Sequence, residues 1–299
     1  MFDIVSSRRR WYFLSSFFVL SALISIVVFG LRPGIDFTGG TQMGIGFMGD
    51  VPRTEEIKSL FEESVGTEKG ENVLSMFDKT GFVVRSRGLT EEETTAFASA
   101  LASSKWNGSI NSISTIGPSM GETFQKRAFW GVGTAIIAII IFVALAFRRV
   151  PEGLSSWKFG MAAIAALVHD ITIIIGFFAF LGYVYGVEVD ALFITALLTV
   201  LGFSVNDTIV IFDRIRENLK GKQAKDLESV SEISVWQSMR RSVNTSLSTL
   251  IVVAVMLVFF TGFPSLFSFF LAVSLGLIVG TYSSIFLATP LLITWHKGS

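Results

Sequence analysis

Six apolar runs divide the chain, and each is nearly free of charged residues over about 20 positions. They cover residues 11–31, 128–147, 159–183, 191–212, 243–260 and 266–294. A helix rises about 1.5 Å per residue, so a run of this length crosses the hydrocarbon core of a bilayer. The pattern therefore predicts six transmembrane helices.

The first run follows three arginines, Arg8, Arg9 and Arg10, a layout that signal peptides and membrane anchors share. It is longer than the apolar core of a signal peptide, and no small-x-small cleavage site follows it. We therefore interpret it as a retained anchor.

The basic residues of the short loops predict the orientation. The N-terminus carries three of them, the loop 148–158 carries three and the segment 213–241 carries seven, whereas the loops near Tyr185 and Gly262 have none. Because lysine and arginine in short loops stay in the cytoplasm, both termini are expected there. The long segment 32–127 is then extracytoplasmic despite its ten basic residues.

This long segment alternates between strand-like and helix-like patterns. Strands are predicted at 41–48, 72–77, 81–86 and 109–116, with a turn at 78–80, and helices at 53–65 and from Thr90. Thr90 and Glu93 have the spacing of a capping box. The order βαββαβ predicts a ferredoxin-like α+β domain. It contains no His and no Cys, and its acids fall mostly on helix surfaces, so a binding or lever role is favoured over catalysis.

Three regions follow: a cytoplasmic N-terminus and first span (1–31), the extracytoplasmic domain (32–127), and a five-helix bundle (128–299) with a cytoplasmic loop at 213–241. The composition agrees, since 51% of the residues are hydrophobic, 16% are charged and the mean hydropathy is +0.62. The absence of cysteine excludes disulfides and thiolate chemistry, and two histidines argue against a histidine-rich metal site.

Glycine-bearing segments flank the extracytoplasmic domain where the chain meets the membrane. The glycines and proline concerned are Gly34, Gly39, Gly40, Gly117, Pro118 and Gly121. Paired glycines reach positive φ and proline fixes φ, so both segments are predicted to be turns or hinges. Gly39 and Gly40 are not a phosphate-binding loop, because no Lys-Ser/Thr pair follows them.

Three ionisable side chains lie within the predicted spans: His169, Asp170 and Asp207. A charge at the centre of a span costs about 2.5 to 3.5 kcal/mol, so each is a candidate functional residue. Neighbouring helical residues point about 100° apart. His169 and Asp170 are therefore not expected to face one partner, and one of them is left for a structural role.

Asp207 is predicted near the cytoplasmic end of the fourth span, with Ser204 on the same helix face. Polar residues also recur at three- and four-residue spacing on the fifth span: Arg241, Asn244, Thr245, Ser248 and Thr249. These form a predicted polar stripe at a similar depth. Arg241 is thus expected to pair with Asp207, directly or through water, unless it is only a cytoplasmic anchor.

Several ordered motifs resemble the SecD/SecF family of protein-export membrane proteins. They are D-F-T-G-G-T at 36–41, G-P-S-M-G at 117–121, A-L-V-H-D at 166–170, G-F-S-V-N-D-T-I-V-I-F-D-R-I-R-E-N at 202–218, R-S-V-N-T-S at 241–246 and G-T-Y-S-S-I-F at 280–286. The resemblance extends across the whole chain.

The resemblance implies a six-helix half of the resistance-nodulation-division (RND) architecture, without enzymatic activity or cofactor. It also implies an auxiliary subunit of the Sec translocase, in the inner membrane, that uses the proton motive force to promote polypeptide export. Asp207 and Arg241 carry the implied proton-coupling role. Supporting roles are expected for His169, Asp170, Asn206, Asp213, Asn244 and Thr245.

The implied partners are a SecD subunit, the SecYEG channel, SecA, YajC, the translocating polypeptide and membrane lipid, but no nucleic acid. Three alternatives stay open. An RND-type small-solute exporter subunit is disfavoured by the small extracytoplasmic domain. An intramembrane aspartyl protease would use Asp170 and Asp207, yet the second acid lies in Val-Asn-Asp rather than Gly-x-Gly-Asp. A membrane scaffold without transport is the third.

Overall fold

The structure, a computed structural model, describes residues 3–47, 50–66, 72–75, 81–148, 156–221 and 226–297. The helices in these ranges are α1 (Arg8–Phe29), α2 (Ile35–Thr38), α3 (Thr54–Val65), α4 (Glu91–Ser103), α5 (Pro118–Ala146), α6 (Ser156–Tyr185), α7 (Ala191–Lys220), α8 (Leu227–Phe259), α9 (Pro264–Ser283) and α10 (Thr289–Lys297). A π-helical turn, Ser284–Ala288, joins the last two helices. The strands are β1 (Gly40–Phe47), β2 (Asn72–Ser75), β3 (Gly81–Ser86) and β4 (Gly108–Ile116).

Within the described ranges, six spans are long and apolar enough to cross a membrane: α1, α5, α6, α7, α8, and α9 together with α10. They match the six predicted spans. Two of them extend further than predicted, because α7 continues to Lys220 and α8 already begins at Leu227. The segment 213–241 is therefore largely helical rather than a cytoplasmic loop.

The charged residues of this segment explain the difference. Arg214 pairs with Glu217 at 2.8 Å and Arg216 pairs with Asp213 at 2.5 Å, each across three residues of one helix. Asp226 then caps α8 by accepting a hydrogen bond from the Ser229 amide at 3.1 Å. Charged residues at this spacing stabilise an exposed helix, so polarity alone did not indicate a loop.

Helix α7 lies at the centre of the bundle and packs against α5, α6, α8 and α9. Its closest approach is to α9, where a Cβ on Gly276 would overlap the side chain of Val200. A Cβ on Gly280 would lie 3.1 Å from Cβ of Ser204. Small residues at GxxxG spacing thus bring the two backbones together.

Helix α1 packs along α6 in the same close manner. A Cβ on Gly176 would overlap the backbone of Ala22, and the Ser25 hydroxyl donates to the Gly176 carbonyl at 2.7 Å. The first apolar run is therefore an integral part of the bundle.

The described residues of the domain that was predicted at 32–127 contain a four-stranded antiparallel sheet in the order β2-β3-β1-β4. With α3 and α4 this is the ferredoxin-like arrangement, as predicted. The core includes Phe61 and Phe97, which are fully buried and stack edge to face at 5.0 Å. The predicted turn 78–80 lies outside the described residues. Residues 118–127, at the end of the predicted domain, form the start of α5.

Candidate functional site

Asp170 is the most deeply buried acid of the membrane bundle among the described residues, with 1% of its surface exposed. It lies on α6 and accepts hydrogen bonds from Ser204 of α7 at 2.6 Å and Ser283 of α9 at 2.8 Å. Hydrogen bonding of this kind is what a buried carboxyl group requires. Asp170 therefore connects three helices.

His169 and Asp170 contact each other. Nδ1 of His169 lies 2.9 Å from Oδ1 of Asp170. The imidazole also stacks on Tyr282 of α9, with ring centroids 6.1 Å apart. Although the two Cα–Cβ bonds diverge, the side chains are long enough to fold back toward one another.

Asp207 lies on α7, one helical turn beyond Ser204, and only 9% of its surface is exposed. Its neighbours on α8 are the hydroxyls of Ser242 and Ser246, and the charge of Arg241 also acts on it. Ser204, Asp207 and Ser246 line a small cavity closed by α9. The carboxyl group therefore lies among hydroxyls rather than in an ion pair.

Arg241 does not form an ion pair with Asp207 within 4.0 Å, although both residues belong to the described part of the chain. The side chains of Arg241, Asn244 and Thr245 are exposed on α8. The predicted polar stripe on α8 therefore lies on the outer surface of this chain. The face of α8 that meets Asp207 is the adjacent face, which carries Ser242 and Ser246.

The other predicted site residues lie apart from this cavity. Asn206 is exposed on α7, and Asp213 is exposed on the helical extension, where it pairs with Arg216. Sequence reasoning missed Ser242 and Ser246. Their spacing of four residues was a usable signal, but it lies only one residue away from the Arg241–Thr245 spacing, and charge drew attention to the latter.

Asp170 and Asp207 do not form a catalytic dyad. Both oxygens of Asp170 are engaged by His169 and the two serines, whereas a dyad requires two carboxylates that share one proton. Among residues that the structure describes, no cluster of three His, Asp or Glu side chains is arranged to hold a metal ion.

The two glycine-bearing segments meet where the domain joins the bundle. Helix α2 packs on the start of α5, and a Cβ on Gly121 would lie 2.9 Å from the Phe37 carbonyl oxygen. Gly39 has φ +72° and lies against Pro118, while Gly40 has φ +125°. A larger residue at Gly39 or Gly40 would strain the backbone. Gly117 directly precedes α5, and the hinge role of these residues stays a prediction.

The loop between α6 and α7 binds the chain that leads into the domain. Gly34 donates its amide to the Val189 carbonyl at 2.8 Å, and Val189 donates to the Arg32 carbonyl at 2.8 Å. Asp36 accepts from the Ala191 amide at 2.8 Å, so it caps the first turn of α7. The start of α7 is therefore fixed to the segment 32–36.

A buried ion pair joins the same loop to the sheet. Arg85 of β3 pairs with Glu188, and their side chains are 11% and 9% exposed. Nε of Arg85 also donates to Gln42 at 2.8 Å. Burial raises the pKa of Glu188, while the Arg85 guanidinium opposes that rise. Burial likewise raises the pKa of Asp190, which caps α7 through the Phe193 amide.

These features define a class of protein: a six-helix membrane bundle with intramembrane acids, joined at glycine-rich contacts to a small ferredoxin-like domain. A comparison of the sequence with known protein families leads to the same class. The family described as "Protein export membrane protein SecD/SecF, C-terminal" matches residues 96–298, and the "SecD/SecF GG Motif" matches residues 24–47. The chain therefore belongs to the SecD/SecF family, as its motifs predicted.

Curated relatives match over nearly the whole chain. Protein translocase subunit SecF of Thermobaculum terrenum is 36% identical, over 99% of this chain and 95% of the relative. The SecF subunit of Anaerolinea thermophila is 33% identical, over 100% and 95%. Protein translocase subunit SecDF of Bacillus subtilis is 35% identical over 98% of this chain but only 38% of its own length. The relatives are named as translocase subunits rather than as enzymes.

Two solved structures are also similar. The crystal structure of SecDF from Thermus thermophilus, described as a translocon-associated membrane protein, superposes with a TM-score of 0.85 at 30% identity. SecDF in a super-membrane-facing form gives 0.67 at the same identity. This chain spans 39% of the length of each of those proteins.

Proposed function

We propose that this chain is an auxiliary subunit of the Sec protein translocase and uses the proton motive force to promote polypeptide export. The observation that carries the proposal is Asp207, an acid held among hydroxyls within the membrane bundle and close to a basic residue. Its protonation is the step through which a proton gradient would act. Family membership supplies the process to which that step is coupled.

Arg241 is the modulator in this proposal. A nearby guanidinium favours the charged carboxylate, and burial favours the neutral acid. Because Arg241 does not touch Asp207 in this structure, movement of α8 relative to α7 would change their separation. A changing separation would convert helix movement into proton uptake and release. One charge that crosses 100 mV gains about 2.3 kcal/mol, which is enough to bias a two-state movement.

The exposed polar face of α8 is the proposed contact with a SecD subunit. Asn244 is exposed within the apolar part of α8, and Arg241 is exposed one turn before it, at the proposed cytoplasmic end of the span. A polar side chain that faces lipid is costly without a partner. The Thr245 hydroxyl returns to the Arg241 carbonyl at 2.7 Å, so it is satisfied within the helix. This chain spans 39% of the length of the solved SecDF protein, so the remainder of that protein is long enough to contain a second bundle. A bundle of that kind in a SecD subunit would cover this face.

We place the chain in the inner membrane with both termini in the cytoplasm, on the basis of the basic residues at 8–10 and along 213–241. The α7–α8 extension would then project into the cytoplasm and the ferredoxin-like domain would lie outside. A wider assembly with the SecYEG channel, SecA and YajC follows from the family resemblance alone. The translocating polypeptide would meet the outer domain.

Movement of the outer domain is the proposed output. The two solved SecDF structures cover this chain almost completely at equal identity, yet they superpose with different scores. Relatives of this chain therefore adopt more than one arrangement. Gly34, Gly39 and Gly40, together with Gly117, Pro118 and Gly121, are the proposed hinge positions, since hinges absorb backbone change at a few residues.

Two substitutions test the proton-coupling role. Asp207→Asn keeps the shape of the side chain but does not titrate, and Arg241→Leu removes the modulating charge. Translocation into inverted membrane vesicles is measured with and without an uncoupler. Both variants should insert and lose the uncoupler-sensitive part of the rate, and Asp207→Asn should still bind SecD. Glu217→Gln is the matched control for Asp207→Asn, because Glu217 lies on the exposed end of α7, the helix that carries Asp207. Full uncoupler-sensitive stimulation in Asp207→Asn would refute the proposal.

A further inference from the structure

A groove between α1 and α6 leads to the buried histidine of the bundle. It is lined by hydroxyl-bearing residues among apolar ones, including Tyr12, Ser15, Ser16 and Thr172, and His169 forms part of its wall. Nε2 of His169 is buried and has no hydrogen-bond partner among the described residues. Intramembrane ionisable groups that line cavities are typical of proton pathways.

The contacts continue inward from the groove toward Asp207. His169 meets Asp170 through Nδ1 and Oδ1 at 2.9 Å, and the other oxygen of Asp170 accepts a hydrogen bond from Ser204 at 2.6 Å. Ser204 and Asp207 are one turn apart on α7 and line the same small cavity. The polar groups therefore form an ordered series: Asp207, the cavity, Ser204, Asp170, His169 and the groove.

We propose that Asp170 and His169 form a proton relay that connects Asp207 with the α1–α6 groove. This proposal rests on the proton-carrier role of Asp207 given above. The relay gives Asp207 a second route for protons, which a proton carrier needs because it must take up a proton from one side and release it to the other. The face of Asp207 toward α8 gives one access, and the relay gives the other.

The order of these contacts gives the path that one proton would take. Asp207 gives a proton to the Ser204 hydroxyl across the cavity while that hydroxyl gives its own to Oδ2 of Asp170. The protonated carboxyl group of Asp170 then rotates and passes this same proton to Nδ1 of His169, and the imidazolium releases its Nε2 proton into the groove. One proton enters and one leaves, and tautomer exchange resets the ring.

The groups that face the relay are hydroxyls. Ser283 of α9 also donates to Asp170, and Tyr282 of α9 stacks on His169 while its own hydroxyl bonds to Ser15. No lysine or arginine contacts His169 or Asp170 within the residues that the structure describes. The groove is lined by the first half of α1, so the relay opens toward the end of the bundle at which α1 begins.

The competing explanation is that Asp170 and His169 only hold α6, α7 and α9 together. Imidazole rescue separates the two explanations. His169→Ala should lose most of the uncoupler-sensitive translocation, and imidazole added to the vesicles should restore it. Pyrazole has the same ring size but is far less basic, and it should not restore activity. Phe177→Ala, two turns along the same helix and exposed, should respond to neither compound.

Each outcome decides the question. Full stimulation in His169→Ala, restoration by both rings, or restoration by neither would overturn the relay while leaving Asp207 as the carrier. If His169→Ala does not accumulate in membranes, Asp170→Asn is measured instead, since its amide oxygen still accepts from the two serines. Retention of stimulation by Asp170→Asn overturns the relay, and its loss with normal thermal stability supports it. Asp207→Asn is measured in parallel. If it keeps full uncoupler-sensitive stimulation, the proposed function itself is refuted and not only the relay.

Discussion

Removal of one member of the Arg85–Glu188 pair should release the extracytoplasmic domain from the loop between α6 and α7. Both side chains are about nine-tenths buried, and the pair joins β3 to that loop directly. Loss of one partner leaves a buried, uncompensated charge, which costs about 3 to 5 kcal/mol. At the lower end, Arg85→Met would reduce the ratio of docked to undocked domain about a hundredfold, because 1.4 kcal/mol is a factor of ten.

The chain has no cysteine, so labels attached to introduced cysteines report the domain position without background. A pair at Ser99 on α4 and Thr261 between α8 and α9 would measure the distance from the domain to the outer face of the bundle. Arg85→Met should add a second, undocked distance population. The double variant Arg85→Met with Glu188→Leu should restore the docked one, because no buried charge is then left unpaired.

Lys105→Met is the control, because it removes an exposed ion pair with Glu56, and exposed pairs contribute little. It should leave the distance distribution unchanged. If Arg85→Met gives the same distribution as the parent, the ion pair does not hold the domain. If the double variant undocks as far as the single one, the effect arises from lost packing rather than from an unpaired charge.

Three further predictions follow from named contacts. Burial raises the pKa of Glu188 and Asp190 in the folded protein, so their contribution to stability should be complete below their ordinary pKa values and should be lost as the pH rises through the raised ones. A melting temperature with the same pH dependence in the parent and in Glu188→Gln would contradict this. Gly176→Val should push α1 away from α6 and lower the melting temperature of the purified protein, whereas Gly133→Ala, with nothing within 4 Å of a new Cβ, should be neutral or slightly stabilising. Phe97→Ala should destabilise the outer domain by about 3 to 5 kcal/mol, seen as faster proteolysis, while the exposed Ile113→Ala should not.

The fold was largely predictable because it depends on periodicity. Apolar runs of about 20 residues admit little besides membrane spans. The alternation in 41–116 indicated each strand and helix of the ferredoxin-like domain. What failed was the segment 213–241, where a polar composition suits both a loop and an exposed helix. Only the local pairing of Asp213 with Arg216, and the cap at Asp226, distinguish the two.

The candidate site residues could be selected from the sequence, but their contacts could not. An ionisable side chain inside a membrane span is energetically costly, so such residues are usually retained for a function. This cost singles out His169, Asp170 and Asp207 in the sequence. Their partners depend on how helices rotate against each other. A shift of one residue around α8 exchanges Arg241 for Ser242 as the neighbour of Asp207, and no periodicity argument resolves a rotation of that size.

Helix α7 is the physical connection between the intramembrane acid and the outer domain. Its first turn is capped by Asp36 from the segment that leads into the domain, and the preceding loop is joined to the sheet by Glu188. Asp207 lies 16 residues further along an unbroken helix, which is about 24 Å. A helix of hydrogen-bonded turns transmits axial displacement. If the proposed protonation of Asp207 shifts α7, the shift would either carry segment 32–36 with it or break the hydrogen bond between Asp36 and the Ala191 amide. Both results alter how the domain is held, which is how a proton inside the membrane would act on a polypeptide outside it.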